Sequence, residues 1–262
     1  MPAAELSRLR AQLPRLAVLF DRPQEFRRAL IDLYETYANP TFRSARALIP
    51  SYHIPQLVIR QMELILGSQA RALPEAALAV VDVLWRETYL EPRALGAFLL
   101  GQIPLSQAEG ILERLRRWAV PAEDGQMLGI LFIQGTARLR AEGADALIDL
   151  YEDWLLDTSH AQRLIGLKAL NSLAEDPAYE NLPPLYDLLV PLLRSAPLPL
   201  FNDLGVLLAT LARRAPVETA FFFRQVAASP IGKDTPRLIR RILPLLSESQ
   251  QESVKSALKN RV

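Results

Sequence analysis

Pairs of amphipathic helical segments recur along this chain at a nearly constant interval, and no other feature narrows its possible folds as much. From Pro55 to Pro92 is 37 residues, from Ala161 to Leu200 is 39 and from Leu200 to Thr235 is 35. A period near forty with two helices per repeat is that of a HEAT-type α-solenoid, in which each pair leaves an apolar side that only its neighbours can cover. Residues 80–101, VVDVLWRETYLEPRALGAFLLG, show one such pair at its corner. Leu84 and Trp85 close an apolar helix face and Tyr89 marks the turn. Glu91-Pro92 restarts the chain, with proline in a first turn that tolerates its missing N–H. Leu95, Phe98 and Leu99 then fall on one side of the new helix.

The same periodicity predicts helices over 4–20, 23–38, from Pro55 to near Gly67, 74–85, 92–102, 105–118, 123–140 and 144–156. It continues over 159–174, 182–194, 199–214, 216–228, 236–246 and 248–260. The second helix spaces Phe26, Leu30, Leu33 and Tyr37 along one face; Asn39-Pro40 then breaks the chain before a short piece with Phe42 and Leu48. Ser106 with Glu109, and Ser249 with Glu252, have capping-box spacing. Thr235-Pro236 reads as a cap followed by a first-turn proline, and Pro74, Pro184 and Pro216 sit at similar starts. No stretch alternates with period two, as paired strands would. The expected fold is all-α: a solenoid, or superhelix, of HEAT-like hairpins forming one domain over 1–262. Residues 1–50 would make an N-terminal helical cap and 51–262 the repeats. The joints LPPLYDLLVP and SAPLPL are too apolar and short for flexible linkers, and helix 161–174, apolar nearly all round, suits an inner layer.

With half of its 262 residues apolar, the chain can bury a sizeable core. It contains no cysteine, which excludes disulfides and thiolate metal sites and fits a reducing compartment. The N-terminal twenty residues alternate arginine with leucine, and no window approaches the roughly 20 apolar residues of a membrane span. A soluble, cytoplasmic, monomeric protein is expected. His53 and His160 are the only histidines and form no H-x-x-x-H or E-x-x-H spacing, so no metal is expected. No glycine-rich phosphate loop and no Ser/His/Asp arrangement occurs, so no cofactor is expected either. The net charge of +1 hides a bias, since 26 of the 30 basic residues are arginine, whose planar fork suits phosphate or carboxylate.

Four segments resemble the bacterial DNA alkylation repair family, HEAT-like repeat proteins that include the AlkD-type DNA glycosylases. They are Tyr52-His53-Ile54-Pro55 followed by Arg60; LWRETYLEPRALGAFLL from Leu84 to Leu100; Trp154 and Asp157 with Gln162-Arg163-Leu164 and Leu167; and Asp203 to Leu246. The resemblance implies a concave groove that holds duplex DNA by its phosphates, with an acidic residue and aromatic side chains against the damaged nucleotide. This chain departs from the pattern at those points. After Trp118, where the family has its catalytic aspartate, the ungapped position is Met127, and only Asp124 stands near; where catalytic members show a Gly-Trp pair, this chain has Gly205-Val206.

The candidate DNA-binding residues are Arg163, Lys168 and His160 along helix 159–174, Arg237, Arg240 and Arg241 at i, i+3, i+4 spacing, and Arg60. Asp124 is the one candidate catalytic acid. Arg93 reads as the structural partner of Glu91, Arg163 as either a phosphate contact or a partner of Asp157 or Glu152, and Trp85 and Trp154 as core. The expected function is duplex DNA binding in a basic concave groove with base excision reduced or absent. One alternative is an active glycosylase removing cationic alkylated purines; another is a protein-binding scaffold.

Overall fold

A computed structural model describes residues 3–39, 49–195 and 197–259. The predicted break at Pro40 and the piece with Phe42 and Leu48 lie outside the described residues. Every regular element among the described residues is helical. No helix there is long and apolar enough to cross a membrane. The chain forms two compact units, 1–143 and 144–262.

The first unit contains α1 (Ala3–Val18), α2 (Pro23–Tyr37), α3 (Gln56–Ala72), α4 (Pro74–Trp85), α5 (Leu90–Leu100), α6 (Ala108–Trp118), α7 (Gly125–Ile130) and α8 (Ala137–Glu142). Helices α1, α3, α5 and α7 lie side by side in one layer, and α2 packs on α4 in a second. The spacing of apolar residues dictates this. In α2, Phe26, Leu30, Leu33 and Tyr34 are buried, while Tyr37, on the same stripe in the last turn, is only half-buried and donates its hydroxyl to Gln12 Oε1 at 2.8 Å. Each fully buried side chain of this size contributes about 1.5–3 kcal/mol. Helix α3 does not stop at Gly67. That glycine is buried mid-helix, where an added Cβ would come 3.3 Å from the Phe98 ring of α5.

The helix predicted over 123–140 is broken. A π-turn at Leu131–Gly135 separates α7 from α8 and packs on α5. A Cβ on Gly101 would lie 1.9 Å from the Gln134 carbonyl oxygen, so only glycine lets α5 meet this turn. The widened ladder loosens carbonyls, and two side chains satisfy them. The Thr136 hydroxyl donates to Phe132 O at 2.5 Å, and Arg140 donates to Phe132 O and Ile133 O.

The second unit contains α9 (Ala144–Leu156), α10 (His160–Glu175), α11 (Pro183–Ser195), α12 (Phe201–Arg214), α13 (Pro216–Ala227), α14 (Thr235–Ile242) and α15 (Glu248–Lys259). Helices α10, α12 and α14 form one layer; α9, α11, α13 and α15 form the other. Gly166 brings α10 close against Leu155 of α9. Helix α10 buries seven residues and exposes a narrow strip.

Two predicted caps shift. Ser106 falls in a 3-10 turn (Leu105–Gln107) and Glu109 instead pairs with Arg116 at 2.7 Å. At α15 the reciprocal box forms two residues early. Gln250 N donates to Ser247 Oγ at 3.4 Å and Ser247 N to Gln250 Oε1 at 2.9 Å. Thr235 does not cap α14; its buried hydroxyl donates to Leu193 O.

Candidate nucleic-acid interface

In the first unit the sequence candidates are largely engaged in structure. Asp124 is the N-cap of α7, and its Oδ1 accepts from Gln126 N at 2.7 Å and Met127 N at 3.3 Å. Met127 is wholly buried and presents nothing to a ligand. Arg93 does not pair with Glu91. Its guanidinium binds Glu123 and lies 4.6 Å over the Trp85 ring, which stacks at 4.6 Å on Trp118. Both tryptophans are buried, as is Trp154. Glu91 has another role: it accepts from Ser51 Oγ at 2.6 Å, Tyr52 N at 3.0 Å and His53 N at 2.7 Å. This grip holds His53 at a φ of 54°, a left-handed conformation uncommon outside glycine.

Around that turn Tyr34, Tyr52 and Tyr89 stack at 5.6 and 4.2 Å. Burial pushes the Tyr34 phenol well above its ordinary range, and burial, then Tyr89, raises that of Tyr52. Arg60 is exposed on α3. Burial raises the Glu63 carboxyl above the usual carboxylate value, and the positive charge of Arg60 opposes that rise.

In the second unit the predicted stripe on α10 divides. Arg163 is half-buried, and its Nε donates to the Asp157 carbonyl at 2.5 Å, fastening the α9–α10 loop. The Asp157 carboxylate is not its partner there; it accepts from Ser159 N at 2.7 Å. Lys168 is exposed, but five residues on, about 140° round the helix from Arg163. His160 is exposed at the first turn, and Leu167 is buried. The open strip past Lys168 ends in Asn171 bonded to Glu175 at 2.9 Å, so it carries both signs.

The three arginines of α14 also part. Arg237 lies 5.8 Å over the Phe201 ring, and Arg241 reaches Asn202 at 3.4 Å, both toward α12. Arg240 turns to α15, because one residue of helix rotates a side chain by about 100°. Two depressions result, one on each side of α14. The first, about 290 Å³, is lined by Gly205, Val206, Ile242 and Leu245 together with Arg213 and Arg241. The second, about 360 Å³, sets Arg240, Lys255 and Lys259 around Leu243 and Leu258, with Lys255 donating to Glu252 at 2.6 Å, which offsets part of that charge. Neither has an acidic side chain among its described lining residues. Like charges converging on low-polarity floors make a field that concentrates anions.

Arg213, Lys255 and Lys259 are members that sequence reasoning overlooked. The signal was present as a local imbalance that the net charge conceals. Residues 144–200 hold nine acids and three bases, whereas 201–262 hold ten bases and five acids. Not every arginine there is available. Arg214 donates to Ala174 O at 2.7 Å and to Tyr179 O, closing the end of α10.

No family model matches the chain, and no curated protein matches it. Among solved structures, the crystal structure of an engineered protein from a structural genomics consortium aligns over 77% of this chain and 90% of its own, at 17% identity and a TM-score of 0.31. The all-α assignment rests on the helices themselves.

Proposed function

We propose that this is a helical-repeat protein, distantly related to the DNA alkylation repair family, whose helical pairs stack as a solenoid and whose helices α12, α14 and α15 hold duplex DNA by its phosphates. The observation that carries this reading is the depression between α12 and α14, where Arg213 and Arg241 converge with no acidic side chain in the lining, and Arg240 on the other side of α14. Phosphate contacts position a duplex without reading its bases, so binding is salt-sensitive and nearly blind to sequence. Base excision is reduced or absent. Cleaving the bond to a cationic base leaves positive character on the sugar, which a fixed, free carboxylate would stabilise. Here Asp124 is committed to two backbone N–H groups, and Val206 offers no flat wall where the resembling family has tryptophan.

Fluorescence anisotropy with labelled duplexes of unrelated sequence tests this. Arg213→Ala/Arg241→Ala should weaken binding to all of them and make the log–log salt slope shallower by about two. Arg163→Ala, acting on a loop carbonyl, should leave the slope unchanged. An unaltered slope in the double variant would remove the interface from α12 and α14. The same chain should release no 3-methyladenine from methylated duplex over hours; release that Asp124→Asn abolishes would restore the glycosylase reading.

A further inference from the structure

A further opening in the second unit lies elsewhere, in the layer of α9, α11, α13 and α15. Helices α11 and α13 run parallel. Tyr186 Oη meets Thr219 Oγ1 at 2.8 Å in their N-terminal halves, and Gly232, just beyond α13, donates to Leu193 O near the end of α11. Between them runs a groove of about 540 Å³, floored by Tyr186, Val190 and Phe222. Its rim is also apolar. Val217 is 65% exposed and Phe221 51% exposed, one helical turn apart.

The charges along this groove are ordered. Asp187 and Glu218 line it in the N-terminal halves of the two helices, and Arg194 and Arg224 in their C-terminal halves, with Arg224 also 5.4 Å over the Phe221 ring. The seven residues from Asp187 to Arg194 span about 10 Å of helix, or two turns. Burial raises the Tyr186 phenol above its ordinary value.

From this layout we infer that the α11–α13 groove binds a short amphipathic helical segment of another protein. That segment lies antiparallel to α11 and α13 and carries an acidic residue at i, leucine-like residues at i+3 and i+4, and a basic residue at i+7. The apolar pair fills the floor and covers Val217 and Phe221. The acid meets Arg194 and Arg224, and the base meets Asp187 and Glu218. Antiparallel docking opposes the helix dipoles of ligand and receptor, and it puts the ligand's own acid toward its N-terminus and base toward its C-terminus, where each stabilises a helix. A small amphiphile fits less well, since it would leave the exposed rim uncovered, whereas ligand sites of this size enclose most of their occupant. The inference is independent of the DNA-binding reading, which rests on α12, α14 and α15.

The test uses the full chain and two capped synthetic peptides of about 16 residues, long enough to sample helix in isolation. One has the pattern above; the other exchanges the acid and the base. Calorimetric titration should show one-to-one binding of the first and at least about tenfold weaker binding of the second. Phe221→Ser should weaken the first about tenfold with an unchanged circular dichroism spectrum, since the ring is half exposed. Asp187→Lys, at an exposed position, should narrow the preference between the two. Equal affinity for both peptides, or indifference to Phe221→Ser, would overturn the inference. Saturable binding of decanoate in place of peptide, lost in Phe221→Ser, would also overturn it and assign the groove to a small amphiphile.

Discussion

In residues 1–143, Asp82 of α4 holds both Arg114 and Arg117 of α6, Glu87 holds Arg27, Glu123 holds Arg93, and Glu91 holds the backbone of Tyr52 and His53. In residues 144–262, Asp149, Glu152 and Asp153 stand exposed on α9, and Arg237, Arg240 and Arg241 stand exposed on α14. Both units are built from packed helical pairs. A charge fixed between two helices orients them, and its field is largely cancelled by its partner. Charges gathered by sign on separate surfaces cancel less, and their field reaches outward about a Debye length, some 8–10 Å in ordinary salt. The fold of the first unit therefore depends more on its charges, and the second unit displays more of them to solvent.

The sharpest test of this contrast concerns glycine. Gly101→Ala in the first unit must displace the Gln134 carbonyl and should lower stability by about 3 kcal/mol, the upper range for overpacking against a rigid partner. Gly205→Ala in the second meets Leu238 at 3.5 Å and the Arg241 guanidinium at 3.8 Å, both ordinary contacts, and should be neutral or stabilise by about 0.5–1 kcal/mol through helix propensity. Urea unfolding followed by circular dichroism measures both. A neutral Gly101→Ala would mean that the π-turn yields easily and does not brace α5.

A smaller effect is expected from removing acids. Asp82→Asn leaves the nearly buried Arg114 guanidinium with a weaker partner and should cost about 2 kcal/mol, below the range for fully buried pairs because Asp82 is partly exposed. Asp153→Asn on the exposed face of α9 should stay within about 0.5 kcal/mol. Equal losses in the two variants would break the distinction between pinned and displayed charge.

The smallest effect is a titration. Because the Glu63 carboxyl is raised in the folded chain, it favours folding below its unfolded pKa, and that contribution is lost as pH rises through the folded value. Arg60→Ala removes the opposing charge and should raise the Glu63 value further, carrying the loss to higher pH. Carboxyl-detected NMR titration reads it directly. An unmoved Glu63 would show that Arg60 exerts no local field, and would leave its exposed charge for the solvent face of α3 alone.

Helix existence was legible in the letters because it depends on neighbours three and four residues away. Pro74 and Pro216 open α4 and α13, the spacing of Phe26, Leu30 and Leu33 marks the buried side of α2, and α9 begins and ends where periodicity places it. Caps were harder to place. Ser247 competes with Ser249 for the same helix, and the winner is decided by where the chain arrives from the Leu243–Leu245 turn.

What sequence alone determined, then, was an all-α chain of recurring helical pairs with arginine in excess. Tertiary structure decided which charges remain for a partner. Arg93 finds Glu123 thirty residues on, Arg114 finds Asp82 thirty-two residues back, and Arg214 closes a helix end forty residues earlier. The π-turn at Leu131–Gly135 belongs to the same category, since its close approach to Gly101 comes from packing between α5 and a segment about thirty residues away. Helical periodicity is a local property of the backbone and can be read locally. An ion pair depends on which side chains two packed helices bring face to face, and a linear pattern records each charge without recording what stands opposite it.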